Sequence, residues 1–314
     1  MSPVLAETLS AVALLVGLTA ALRHRARRAG ERAWRIAHPV AADGIIPGAG
    51  SISLDGAARA VLLVHGFGDT PQTLALQAMA LHAHGWTVRV PLLPGHGRTL
   101  EAFSVARAWE WTETVSDGFD ALCKTHERVA IVGLSMGGAL ATSLAAAAGP
   151  RAAALVLLAP FLEVSPRARL GTSLWPLWSF WRAWVCGDAT ESIRDPVARR
   201  ESLGYGCSSP RALRELRRVV DAAALDAGQL RLPTLVVHSR SDYRIPEAAA
   251  ERGFSRLGTP VKELRWVERS GHVITVDFDA TLVTQTIVDW LEQHVPRSLP
   301  AKEVREGEGE RERP

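Results

Sequence analysis

Apolar positions along the chain fall in short unbroken runs separated by helical spacing. Residues 61–64 read Val-Leu-Leu-Val and stop at the turn cluster His65-Gly66-Phe67-Gly68. Fully apolar runs of that length suit strands buried on both faces of a parallel sheet. Shorter or less uniform stretches at 87–90, 128–132, 153–158, 234–238 and 261–267 predict further strands. Between them, residues 71–84, 106–125, 136–148, 247–257 and 276–294 carry helical spacing, the first with a proline at its start, as helix N-termini tolerate. Strands alternating with helices predict an α/β fold, a mostly parallel sheet with helices on both faces.

Several segments break the alternation. Positions 29–59 read as a linker, richest in glycine and small residues from Gly44 onward, so the core would comprise 60–159 and 231–296. Residues 160–230 interrupt two core strands and hold a tryptophan cluster from Trp175 to Trp184, then an arginine-rich helical stretch at 211–220. An insertion between core strands predicts a small helical lid over the C-terminal edge of the sheet. Residues 297–314 are almost wholly polar or charged from Lys302 on, which predicts a disordered tail.

Residues 1–28 stand apart. Positions 4–22 are apolar except for Glu7 and a few small polar residues, and Arg23, His24, Arg25, Arg27 and Arg28 follow at once. A membrane span needs about 20 apolar residues, and a secretory signal carries its positive charge before the apolar run. The order found here predicts a membrane anchor with the catalytic domain on the cytoplasmic side. A packing or interfacial helix and a signal peptide are the alternatives.

Hydrophobic residues make up 47% of the 314 positions and charged residues 22%, enough apolar material for a sizeable core and against wholesale disorder. The formal net charge is only +3, with no basic periodic face, which argues against nucleic-acid binding. Cys123, Cys186 and Cys207 are an odd, sparse set. Free thiols are expected, although Cys186 and Cys207 fall in one region and could pair. No CxxC or Cys/His spacing suggests a metal.

Gly133-Leu134-Ser135-Met136-Gly137 is a G-x-S-x-G sequence between a predicted strand and an alanine-rich helix, the context of a nucleophile elbow. Ser135 would stand at the C-terminal edge of the sheet. A serine hydroxyl needs a base, and His272 follows the last predicted strand at that same edge. His65 and His96 are expected to bind loop backbone, and His238 to be structural. The base needs an acid to fix its tautomer; Asp242 follows the strand at 234–238, giving the chain order Ser, Asp, His used by such folds. Asp277 and Asp279 are expected to cap a helix or face solvent. Backbone N–H groups of Met136 and Phe67 are the expected oxyanion donors. The Phe67 side chain, with Trp175, Trp178 and Trp181, is the candidate substrate-binding set, and core filling is the other reading of these tryptophans.

Five segments together resemble the monoglyceride lipase and carboxylesterase branch of the α/β-hydrolases: Val64-His65-Gly66-Phe67, Pro94-Gly95-His96-Gly97, Gly133-Leu134-Ser135-Met136-Gly137-Gly138, Ser241-Asp242 and Gly271-His272-Val273-Ile274. The resemblance spans residues 60–294 apart from the insertion. It implies hydrolysis of a small-molecule acyl ester or lipid through an acyl-enzyme, without cofactor or metal. Thioesterase, acyltransferase and peptidase chemistry use the same oxyanion geometry and stay open. A non-catalytic membrane-tethered binding protein is the alternative from another class, and the complete Ser-Asp-His set argues against it.

Overall fold

The structure, a computed structural model, describes residues 2–187 and 192–295. The expected disordered tail at 297–314 lies outside the described residues. Seven strands form one sheet in the order β1-β3-β2-β4-β5-β8-β9. They are β1 (Ile52–Leu54), β2 (Arg59–Val64), β3 (Trp86–Val90), β4 (Val129–Leu134), β5 (Ala152–Leu158), β8 (Thr234–Ser239) and β9 (Lys262–Val267). All neighbours pair in parallel except β1, which runs antiparallel to β3. A two-stranded hairpin, β6 (Val185–Cys186) with β7 (Cys207–Ser208), lies in the insertion.

Strands β2, β4, β5 and β8 are buried throughout, while the edge strand β9 is mostly half-exposed. Their sequences follow this difference: β2 ends Val-Leu-Leu-Val, while β9 begins Lys-Glu-Leu-Arg. Successive residues of a strand point to opposite faces, and the core divides accordingly. Leu62 and Val64 pack with α4 (Ala108–Cys123) and α5 (Met136–Ala148) in one layer. Val61 and Leu63 pack with α2 (Ala75–Ala83) and α11 (Ala280–His294) in the other. The fold is the α/β-hydrolase architecture that the alternation of elements predicts.

Departures from expectation have local causes. Within the expected linker, Ile52-Ser53-Leu54 finds the free edge of β3 and becomes β1. Residues 71–74 form a 3₁₀ turn ahead of α2. A separate helix, α3 (Leu100–Val105), precedes α4, and the Thr99 hydroxyl accepts from Ala102 N at its start. The last helix begins at Ala280, four residues later than expected, because a loop through Asp279 carries a site histidine. The expectation of free thiols at Cys186 and Cys207 is overturned. The β6/β7 hairpin sets them directly opposite each other, Cα atoms 4.0 Å apart, in a disulfide, and Cys123 alone is free among the described residues.

The insertion carries α6 (Pro166–Ser173), α7 (Trp175–Trp178), α8 (Pro196–Glu201) and α9 (Pro210–Asp226), and α10 (Glu247–Ser255) follows β8. Val219, Val220 and Ala223 of α9 join the core layer of α5. The N-terminal segment is one helix, α1 (Pro3–Ala37), longer than the predicted apolar stretch. Its apolar half stands clear of the domain, and the most apolar 18-residue window is wholly unburied. Its C-terminal half docks: Trp34 Nε1–H donates to Arg98 O at 3.0 Å, Arg27 to Ser104 Oγ at 3.1 Å, and Glu31 accepts from Glu101 N at 3.0 Å.

A Cβ at Gly137 would overlap the carbonyl oxygen of Val64, which is backbone and cannot swing aside. Gly137→Ala is therefore expected to destabilise the protein by about 2 kcal/mol or more. Gly228, with open space around it, should accept alanine within about 0.5 kcal/mol. Urea denaturation of the pair checks the contrast.

Candidate active site

Three strand ends supply the site. At the end of β4, Ser135 occupies φ 54°, ψ −112°, a region L-residues rarely adopt. The chain turns there straight into α5, and a Cβ at Gly133 would overlap the carbonyl of Gly137. The Ser135 amide donates to Leu158 O at 2.9 Å, tying the turn to the end of β5. After β8, Asp242 caps its own turn: Oδ1 accepts from Arg244 N at 2.8 Å and Ile245 N at 3.0 Å. That leaves Oδ2 for His272, whose Nδ1–H donates to it at 2.7 Å. On the other side of the ring, Ser135 Oγ–H donates to His272 Nε2 at 2.8 Å. The sequence places these three residues at one sheet edge, and the structure brings them into one hydrogen-bonded line.

All three side chains are buried or nearly so. Burial alone would push the Asp242 carboxyl up. The charge and hydrogen bond of His272, the charge of His238 and the Ile245 amide outweigh it and hold the carboxyl below its ordinary value. Asp242 is thus ionised at neutral pH and can orient the base and stabilise an imidazolium. His238 packs behind it, its Nε2–H donating to Ile245 O at 2.9 Å, and burial pushes this imidazole down. It is structural, as expected.

His65 and His96 also bind loop backbone. His65 Nδ1–H donates to Gly66 O at 2.9 Å, its Nε2 accepts from Leu93 N at 3.1 Å, and burial lowers its pKa to about 4. Through this neutral ring the loop after β3 holds the turn after β2. That turn passes close to the nucleophile: a Cβ at Gly66 would sit 3.5 Å from Ser135 Cβ. Phe67 N–H on the turn and Met136 N–H at the head of α5 donate to no other described residue. Preorganised amides of this kind can stabilise a developing oxyanion.

Asp279 stands at the N-cap position of α11, as expected, but its side chain makes no cap bond there, and the solvent-facing alternative for Asp277 and Asp279 is corrected. Both are buried, and they brace the loop that carries His272. Asp277 accepts from Gly271 N at 2.7 Å and Phe278 N at 2.9 Å, and also from Arg194 N and Asp195 N of the insertion, both at 2.8 Å. Asp279 accepts from Arg269 N and Ser270 N, both at 2.9 Å, and from the Ser270 hydroxyl at 2.8 Å. Their sequence signal is two carboxylates within seven residues after a candidate base.

A cavity of about 410 Å³ opens above Ser135 and His272. Phe67 lines it, together with Phe103, Phe161, Leu213 and Leu216 on apolar walls and Asp69, Arg199 and Arg244 on polar ones. The disulfide hairpin contributes a further wall. Trp175, Trp178 and Trp181 do not line this cavity, which corrects their expected role. Trp178 Nε1–H is spent on Gly171 O at 2.6 Å within the insertion, Trp175 lies under the Arg214 guanidinium, and Trp181 is exposed. Asp69, unremarked in the sequence, sits against the oxyanion turn instead. Burial raises its carboxyl from 3.8 to about 6, against the partly offsetting charges of His272 and Arg244. Among the described residues, no cluster of three or more His, Cys, Asp or Glu side chains is arranged to hold a metal.

An elbow serine, a buried acid and a base at the C-terminal edge of a mostly parallel sheet define a serine hydrolase of the α/β-hydrolase fold. The chain belongs to the family described as serine aminopeptidase, S33, whose model matches residues 55–279. A carboxylesterase of Bacillus subtilis (strain 168) is 28% identical over 241 residues, 76% of this chain and 94% of the relative. A thermostable monoacylglycerol lipase of Bacillus sp. (strain H-257) is 26% identical over 234 residues, 74% of this chain and 90% of the relative. Among solved structures, one from a study of the metagenome-derived lipolytic enzymes LipS and LipT superposes with a TM-score of 0.73 at 26% identity. It covers 80% of this chain and all of the other. These similarities place the chain in the carboxylesterase and monoglyceride lipase branch of the fold.

The shifted carboxyl of Asp69 has a measurable consequence. Between pH 3.8 and about 6 the folded chain holds a proton that the unfolded chain has released. Stability contributed by this group therefore falls as pH rises through that window. Asp69→Asn should gain on wild type by about 1–2 kcal/mol between pH 4 and pH 7, the full shift being reduced because the carboxyl faces the cavity. Denaturation at the two pH values checks this; a stability difference independent of pH would show an ordinary carboxyl.

Proposed function

We propose that the chain hydrolyses carboxylic esters through an acyl-enzyme on Ser135. The unbroken line from Asp242 through His272 to Ser135, at 2.7 and 2.8 Å, carries this reading. His272 takes the hydroxyl proton as Ser135 Oγ attacks the acyl carbonyl. Phe67 N–H and Met136 N–H receive the oxyanion. The tetrahedral intermediate collapses, the imidazolium returns its proton to the leaving alkoxide, and an alcohol departs. Water deprotonated by His272 then attacks the acyl-enzyme and releases the acid. Residues 160–230 act as a lid, with the apolar walls formed by Phe103, Phe161, Leu213 and Leu216 receiving the acyl chain.

The wild-type protein should label with a fluorophosphonate at Ser135 and hydrolyse p-nitrophenyl esters, and Ser135→Ala should do neither. Esterase activity retained in Ser135→Ala would overturn the assignment. Asp242→Asn should stay folded and lose about 10⁴-fold in kcat, as expected when the base loses its tautomer-fixing partner. A near wild-type rate would mean that another group orients His272.

The unburied apolar half of α1 supports a membrane anchor. The arginines that follow it favour a catalytic domain on the cytoplasmic side. The Cys186–Cys207 bridge favours the opposite side, because disulfides persist in oxidising compartments. Deleting residues 1–22 should move the protein from the membrane to the soluble fraction, and unchanged partitioning would remove the anchor. Protease added to intact spheroplasts decides the side: a protected domain is cytoplasmic, a digested one is not.

A further inference from the structure

The docked half of α1 reaches the catalytic machinery through a row of rings. Trp34 is buried, and its ring centre lies 4.7 Å from that of Tyr205 in the insertion. Tyr205 stacks on Phe103 at 4.6 Å, and Phe103 meets Phe67 of the oxyanion turn at 4.9 Å. Hydrogen bonds lock the first two rings to one residue: Trp34 Nε1–H donates to Arg98 O at 3.0 Å, and Arg98 N donates to the Tyr205 hydroxyl at 2.9 Å. That hydroxyl donates in turn to Gly95 O at 2.9 Å. Tyr205 also grips the turn through its backbone, its N–H donating to Gly68 O at 2.8 Å.

These contacts bear on where Phe67 N–H points. The Phe67 ring and amide share one Cα, so holding the ring against Phe103 limits how the amide can turn. Close-packed interiors pass a displacement on instead of absorbing it, and each aromatic pair adds about 0.5–1.5 kcal/mol to the area it buries. A second contact fits α1 to the insertion: Arg27 lies over the Trp184 ring at 5.7 Å, and a Cβ at Gly30 would overlap that indole. Trp184 directly precedes β6 and Tyr205 lies two residues before β7, so α1 meets the insertion at the start of both hairpin strands. Trp34 itself does not line the cavity, and it lies ahead of the matched family region.

We infer that Trp34 is a positioning residue for the oxyanion hole: through Tyr205 and Phe103 it holds the turn that presents Phe67 N–H. The N-terminal helix is then part of the catalytic support as well as the proposed anchor. This rests on the hydrolase reading above. An oxyanion develops only on the way to the tetrahedral intermediate, so loosening the turn slows the reaction without weakening ground-state binding. Every ester develops the same oxyanion, so the loss is the same for short and long acyl chains.

The test measures kcat and KM of the full chain in detergent for p-nitrophenyl acetate and p-nitrophenyl octanoate, beside thermal unfolding. Trp34→Ala should lose about tenfold in kcat on both esters with KM unchanged. Trp34→Phe, which keeps a ring against Tyr205, should recover most of the rate. Ile36→Ala, at an exposed position on the same helix, should match wild type. If Trp34→Ala does not fold, Trp34→Leu, which fills the site without a ring, is read by the same criteria. Wild-type kcat in the folded variant, or a Trp34→Phe as slow as it, overturns the inference and leaves the hydrolase reading standing. A loss that grows with chain length through KM also overturns it, in favour of a role in shaping the cavity wall at Phe103. Failure of both Trp34→Ala and Trp34→Leu to fold overturns it as well, making the contact a purely structural one. A folded wild type that cleaves neither ester and does not label with a fluorophosphonate at Ser135 overturns the hydrolase reading itself, and this inference with it.

Discussion

Ser135 holds a backbone conformation that costs an L-residue about 1 kcal/mol or more, and only the packing of strand against helix keeps it there. Gly133 and Gly137 let the backbone of β4, α5 and β2 approach without side chains between them. The Ser135 amide is tied to Leu158, and its carbonyl accepts from Phe161 N at 3.2 Å. With the turn held on both sides, the hydroxyl points out of the sheet edge toward His272, and Met136 N–H stays free at the head of a helix. The oxyanion turn, the base loop and the cavity walls are all positioned relative to this one residue.

Around the elbow the chain uses carboxylates to organise loops that have no ladder of their own. Asp242 spends one oxygen on its own turn and the other on the base. Asp277 and Asp279 gather the amides on either side of His272, which would otherwise be buried without partners. The imidazole is consequently held by backbone contacts on one face of its loop and by a charged hydrogen bond on the other. This arrangement fixes its geometry before substrate arrives, a condition for acid–base catalysis by a positioned side chain.

The sheet and triad were legible because both depend on local pattern. Strands buried on two faces leave unbroken apolar runs, and a strand–serine–helix junction with flanking glycines has few other uses. What escaped depends on distant pairing. β1 is three residues long and becomes a strand only by meeting β3. Cys186 and Cys207 come together through a hairpin of two-residue strands whose register no composition reveals. The tryptophans around Trp178 suggested an aromatic binding wall because aromatic residues look alike whether they line a pocket or close off an insertion. Asp69 carried no signal, since its place against the oxyanion turn follows only from the folded path of the loop after β2.

The two oxygens of Asp277 hold amides from both sides of a boundary: Gly271 and Phe278 in the base loop, Arg194 and Asp195 in the insertion. Val273 N adds a further tie to Ser192 O at 2.8 Å. The insertion is therefore not a detachable module. Grafting the corresponding segment from a relative in order to change substrate range would also remove two of the four amides that donate to Asp277. The transplant would import a misaligned base along with the new pocket unless the backbone at 192–195 travelled unchanged.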